Sequence, residues 1–249
     1  MSDHTSSEEK VLFGSRARIG FISPSVIELR GYDFYRIVPK GVGMIAVTCM
    51  VEDWKDAAYK DALAKVEACA VELSRRFCDF VVHAGAPLVL SQEKGYESRL
   101  IETLQKITGV PCTTAIVAAM EAFRDLGASR LAVVDPYPSD LNAKMAQYLA
   151  QWGFSVASVV SLGTEFTRSS VASVADIYRA ARKAAKEAPN AEAIFIPCTN
   201  FPVVDVIADI ETDTGLPVIA NITSQLYSAF KAIGMREKID GYGKLLRLL

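Results

Sequence analysis

Apolar runs of strand length alternate with amphipathic stretches of helical length along this chain, and the alternation repeats itself. Gly109-Val110-Pro111-Cys112-Thr113 is echoed by Gly215-Leu216-Pro217-Val218-Ile219, and Ala122-Phe123-Arg124-Asp125-Leu126-Gly127 by Ala229-Phe230-Lys231-Ala232-Ile233-Gly234. The unit is far longer than a solenoid repeat, so the pattern predicts a duplicated α/β lobe. In the first half, strands are expected at 18–23, 43–48 and 80–83 and just after Pro111, with helices at 54–77, near 97–108 and around 115–126. In the second half, strands are expected at 130–134, 155–161, 193–197 and 216–219, with helices at 138–152, 171–187, 203–212 and 224–233. Strands that alternate with helices form parallel sheets covered on their faces. The expected fold is therefore α/β, with two similar lobes related by a pseudo-twofold axis and the active site between them. The lobes are expected at 17–113 plus 223–249 and at 114–222, with 1–16 as a flexible N-terminus. Parallel sheets bind ligands beyond the carboxyl ends of their strands, which places the chemistry in the cleft.

Composition narrows the classes of function. With 51% hydrophobic and 22% charged residues, the 249-residue chain reads as an ordinary globular protein. A net charge of −2 offers no basic field for nucleic acid or an anionic membrane. No apolar run is long enough to span a bilayer, and the polar start lacks the core of a signal peptide, so a cytoplasmic location is expected. Cys49, Cys69, Cys78, Cys112 and Cys198 are odd in number and widely spaced, which argues against a disulfide framework or a zinc site. With His4 and His83 the only histidines, little room is left for a histidine-based metal site. Cys69 and Cys78 fit small core positions. A homo-oligomer is compatible with the sequence.

Within this frame, 193–202 (Ala-Ile-Phe-Ile-Pro-Cys-Thr-Asn-Phe-Pro) stands out. A buried strand runs into Cys198, Thr199 and Asn200, and Pro202 is expected to open a helix whose amides lie close by. Such amides stabilise a thiolate or bind a carboxylate. The residues alone leave two readings open: a thiol acid/base in a cleft, or a buried cysteine beside a capping Thr-Asn pair. The segment 80–87 has the same grammar, and Gly85 stands where Cys198 stands in the later one. A tight turn with positive φ is the structural alternative for Gly85. His83 lies two residues earlier, on the same side of an extended strand, and could act opposite Cys198; the alternative is a core histidine. Tyr137 follows a strand and could present its hydroxyl to the cleft, while Asp135 and Asp140 could cap the helix after it. Ser25 and Glu28, after Pro24, could line the pocket. Arg16 and Arg18 are expected to meet solvent, and the basic residues at 179–183 to form the solvated face of a helix.

Taken in order, these segments resemble the aspartate/glutamate racemase superfamily, in its maleate cis-trans isomerase and arylmalonate decarboxylase branch. Pro197-Cys198-Thr199-Asn200-Phe201 resembles the second cysteine motif, and His83-Ala84-Gly85-Ala86-Pro87 falls where the first belongs. Residues 19–24, 135–142, 109–114 and Gly241-Tyr242-Gly243 resemble further segments of the branch, the last expected to pack the tail near the cleft. The resemblance implies two facing lobes and cofactor-free chemistry in which a substrate carboxylate is gripped while cysteine handles a proton or adds to carbon. Racemases use two thiols on opposite faces, maleate isomerases one as nucleophile and one as acid, and arylmalonate decarboxylases a single thiol with glycine opposite. Gly85 therefore points to decarboxylation of a small carboxylate or dicarboxylate with protonation by Cys198. Pro24, Gly85, Ala86, Tyr137, Thr199 and Asn200 are then the expected substrate-binding residues. Ala86 and Pro87 lack the hydroxyls that the decarboxylases carry there. The alternatives are isomerisation or racemisation, with His83 or a water in place of the missing thiol, and a non-catalytic protein that binds small acids.

Overall fold

The computed structural model describes residues 13–25, 29–51 and 53–249. Its first half contains β1 (Ala17–Ser23), α1 (Leu29–Ile37), β2 (Val42–Thr48), α2 (Asp56–Leu63), α3 (Val66–Ser74), β3 (Phe80–His83), α4 (Ala86–Leu90), α5 (Tyr96–Thr108), β4 (Cys112–Thr114) and α6 (Ala115–Asp125). The second contains β5 (Arg130–Asp135), α7 (Ser139–Ala150), β6 (Ser155–Ser161), α8 (Val174–Glu187), β7 (Ala193–Ile196), α9 (Ile207–Thr214), β8 (Val218–Ala220) and α10 (Asn221–Ala232). Short 3-10 turns occupy Phe166–Val171, Val204–Val206 and Leu245–Leu248.

The strands form two four-stranded sheets of the same topology, β2-β1-β3-β4 and β6-β5-β7-β8, parallel throughout. The central strands β3 and β7 are buried along their whole length, as parallel strands covered on both faces must be. The repeat seen in the sequence maps onto equivalent elements. Gly109 and Gly215 both end a helix in the left-handed conformation with φ of 74°, which glycine adopts without steric cost. The strands that follow pair in matching register, Val81 with Cys112 and Ile194 with Val218. The helices after them, α6 and α10, pack against each other and join the two halves. Every residue of α10 from Asn221 to Phe230 is buried, polar ones included.

Several sequence expectations change. The helix expected over 54–77 is two helices, α2 and α3, that pack against different partners, α2 on α4 and α3 on α5 and the first sheet. The buried Tyr59, Ala62, Val66, Ala70 and Leu73 keep one continuous helical spacing across the break, so periodicity cannot reveal it. The helix expected over 171–187 begins at Val174, after a separate 3-10 turn. Helix α1 has no counterpart among the expected elements. Its inner face is Arg30, Asp33, Phe34 and Ile37, and two charged residues on that face erase the hydrophobic pattern. Cys49, Cys78 and Cys112 are buried and Cys69 partly so, all as free thiols.

Candidate active site

Strand β3 ends at His83 and β7 at Ile196, so Gly85 and Cys198 each stand two residues past equivalent strands. Both open onto one cavity of about 40 Å³, enough for on the order of three waters. Pro24, Gly85, Ala86, Tyr137, Cys198, Thr199 and Asn200 all line it. The structure thus brings together every expected site residue except one.

The exception is His83. It is fully buried and absent from the cavity wall, and neither ring nitrogen bonds another described residue. Burial depresses its pKa to about 4, so at neutral pH it is an uncharged core imidazole. The strand ends at His83, and the shared orientation expected of an extended 83–85 segment ends with it. Glu28 lies outside the described residues.

Cys198 sits on an irregular loop. Pro202 does not open a helix: a 3-10 turn begins at Val204 and α9 only at Ile207. The donors expected from a helix end come from the loop itself, the amides of Asn200 and Phe201, together with the Ser169 hydroxyl. Ser169 Oγ also bonds the Phe166 carbonyl at 3.1 Å. These groups favour the thiolate, but burial outweighs them and pushes the thiol pKa up to about 12. Cys198 is therefore a buried, protonated thiol at the cavity wall, with donors in place for the thiolate it becomes on giving up its proton. No lowering of its pKa, as a poised nucleophile requires, is seen.

The loop is held at Pro197, whose carbonyl accepts from Tyr137 Oη at 3.3 Å and from Asn221 Nδ2. Gln225, one turn along α10, donates to Asn221 Oδ1 and accepts from Arg30 Nη1 at 2.7 Å. Arg30 Nη2 donates in turn to Thr199 Oγ1 at 3.0 Å. Tyr137 is fixed from behind by its own backbone. Its N–H donates to Asp135 Oδ1 at 2.8 Å, and its carbonyl accepts from Ser161 Oγ at 2.7 Å and Asn142 Nδ2 at 3.3 Å. Asp135 is thus a brace for Tyr137, not the cap of α7, whose N-terminus has no side-chain cap. Burial and the nearby Cys198 hold the Tyr137 phenol well above its ordinary pKa, so it stays protonated, its one O–H donated to the Pro197 carbonyl. Trp54 packs edge-on against Tyr137 and Phe166, with ring centroids 5.1 Å and 4.6 Å apart, closing the apolar side of the cavity.

Gly85 has φ of −100°, which any residue adopts, so the positive-φ reading fails. Its lack of a side chain has a packing reason instead: a Cβ there would lie 2.5 Å from Leu88 Cδ1 and 3.2 Å from Pro24 Cβ. Arg30, Ser169, Trp54 and Asn221 are site residues that the sequence did not reveal. Each is an unremarkable residue within a helix, turn or loop, brought to the cavity only by the tertiary fold. Tyr242 lies outside the cavity and donates to the Arg36 carbonyl at 2.7 Å, tying the tail to α1. No cluster of three or more metal-ligating side chains occurs among the described residues.

Comparison with known proteins agrees with this architecture. The arylmalonate decarboxylase family model matches residues 19–246. The arylmalonate decarboxylase of Bordetella bronchiseptica is 26% identical over 242 residues, covering 93% of this chain and 97% of that protein. A maleate isomerase of Geobacillus stearothermophilus is 27% identical over 201 residues, covering 75% and 78%. A crystal structure of arylmalonate decarboxylase superposes with a TM-score of 0.81 at 26% identity, over 92% of this chain and 98% of that one. The chain belongs to the arylmalonate decarboxylase family.

Proposed function

We propose that the protein is a cofactor-independent carbon-acid enzyme that decarboxylates a small carboxylate or dicarboxylate and protonates the product from Cys198. The observation that carries this reading is a single buried, protonated thiol in the cavity, with glycine at the equivalent position opposite. In the reaction, the bond from the central carbon to one carboxylate breaks and carbon dioxide leaves. The electron pair stays on the substrate as an enediolate with the remaining carboxylate. The Cys198 S–H then gives its proton to that carbon from one face, and the thiolate regains a proton from water. Asn200, Phe201 and Ser169 stabilise the thiolate in the interval. The Tyr137 hydroxyl turns from the Pro197 carbonyl, which keeps the Asn221 donor, and with Thr199, Asn200 and the Ala86 amide binds the remaining carboxylate, strengthening its hold as charge moves onto the oxygens. A thiol held in its protonated form suits an acid; a nucleophile needs the thiolate.

Maleate isomerisation is the second reading, favoured by the polar Thr199-Asn200 wall beside Cys198 and by similarity to maleate isomerases. Incubation with substituted malonates, maleate and aspartate distinguishes these. Carbon dioxide release from a malonate supports decarboxylation, and conversion of maleate to fumarate sinks it. Tight binding of small acids with no turnover points to a binding protein. The division into lobes at 17–113 plus 223–249 and 114–222, a cytoplasmic location and self-association belong to the same proposal. No helix among the described residues is long and apolar enough to cross a membrane.

A further inference from the structure

Arg30 is the one charged side chain among the described residues that line the cavity. It is 2% exposed, and its guanidinium rests over the Phe21 ring at 5.1 Å. Two of its five N–H groups have partners, Gln225 Oε1 and Thr199 Oγ1, and both are neutral. Among the described residues no carboxylate pairs with it; Asp33, on the same face of α1, lies 3.9 Å from Arg36 instead. Burial lowers its pKa to about 9, against the smaller opposing pull of the Cys198 thiolate. Buried charges are normally paired, because an unpaired one forfeits its hydration with nothing in return.

We propose that Arg30 is the receptor for an anionic group of the ligand, so that the substrate carries a carboxylate beyond the one held beside Cys198. This deepens the reading above and rests on its assignment of the cavity as the active site. The guanidinium fork matches a carboxylate in shape and charge, and here it is oriented before the ligand arrives. The chain Arg30–Gln225–Asn221–Pro197 ties it to the loop that carries the thiol. Thr199, which it holds, is the residue next to Cys198. A carboxylate seated on Arg30 therefore leaves the rest of a small acid lying over the sulfur. The apolar side of the cavity, Trp54 and Phe166, is left for the carbon skeleton.

Calorimetric titration of the wild-type protein with succinate and with its monoamide, succinamate, tests this without requiring turnover. The two ligands differ by one charge at nearly constant shape. Succinate is expected to bind about tenfold or more tightly, with the difference shrinking as salt is added. Arg30→Met is expected to abolish the difference, and Arg30→Lys to keep part of it. Equal affinity of the two ligands for the wild type overturns the proposal, with no variant needed. So does a tenfold preference that persists in Arg30→Met, or an equal loss of both ligands in a folded Arg30→Met protein, which marks a purely structural role. Succinate preference without turnover of any malonate removes the decarboxylase reading and keeps the anion receptor. Turnover of phenylmalonate that Arg30→Met leaves unchanged does the reverse.

Discussion

Replacing Gly85 probes both the packing of the site and its one-sided chemistry. A Cβ at this position meets Leu88 Cδ1 at 2.5 Å, Leu88 Cγ at 3.3 Å and Pro24 Cβ at 3.2 Å. The backbone adds no strain, since φ is −100°. The severe contact is with the free end of a leucine side chain, which a rotamer change relieves. The expected cost is that of moderate overpacking, about 2 kcal/mol. For a chain of this size that lowers the melting temperature by about 4–8 °C. Gly85→Ala and Gly85→Cys should share this loss in a calorimetric melt, because both add the same Cβ. Only Gly85→Cys places a second thiol across the cavity from Cys198. That variant should exchange the α-proton of a bound carbon acid from both faces and racemise an enantiopure product acid, which Gly85→Ala and the wild type should not do. Unchanged melting in both variants would refute the packing argument. Racemisation by the wild type would refute the claim that one face lacks an acid.

Three further outcomes follow from the same geometry. His83 has a folded pKa of about 4 against 6.5 when unfolded, so between these values the unfolded chain binds a proton that the native one does not. Its contribution is a loss of about 3 kcal/mol as pH falls from 6.5 to 4, absent above 6.5. Asp33 and Asp135, raised from 3.8 to about 6, act in the opposite sense, adding stability as pH falls through that range. Urea unfolding of His83→Phe at pH 7 and 4.5 should therefore show a smaller acid penalty than the wild type, and parallel losses would contradict the burial argument. Tyr137→Phe should lower kcat/KM by on the order of 10²-fold, as loss of an oxyanion donor does. Its stability should change by no more than about 1 kcal/mol, because the Pro197 carbonyl keeps the Asn221 donor. Cys198, with its pKa near 12, should resist iodoacetamide at pH 7.5 in the folded protein, as mass spectrometry of the digested adduct would report.

The sequence made the repeated lobe legible because its signals are local. Gly109 and Gly215 end helices in the same backbone conformation, and the apolar runs of β3 and β7 need no partner to be recognised. Aligning those strands was enough to set Gly85 against Cys198. What remained hidden depends on tertiary context. The inner face of α1 carries Arg30 and Asp33, which a hydrophobic pattern reads as solvent-facing. Ser169 reaches the thiol from a 3-10 turn, and Asn221 from the first position of a helix whose polar and apolar residues are all buried through Phe230. His83 takes the core position that was the alternative to a catalytic one, because strand alternation does not extend past the end of β3 at that residue. The donors around the thiol come from the loop and Ser169 in place of the expected helix end, and the burial that outweighs them is set by the tertiary fold.

The central claim is that one thiol, Cys198, delivers one proton to one face. The most direct test is turnover in deuterated water of a substituted malonate with two different groups on its central carbon. Chiral chromatography and mass spectrometry of the product acid provide the readout. A single enantiomer carrying one deuterium at the α-carbon is predicted, with turnover lost in Cys198→Ser although that variant still binds the acid. A racemic product, or undiminished turnover in Cys198→Ser, would contradict it.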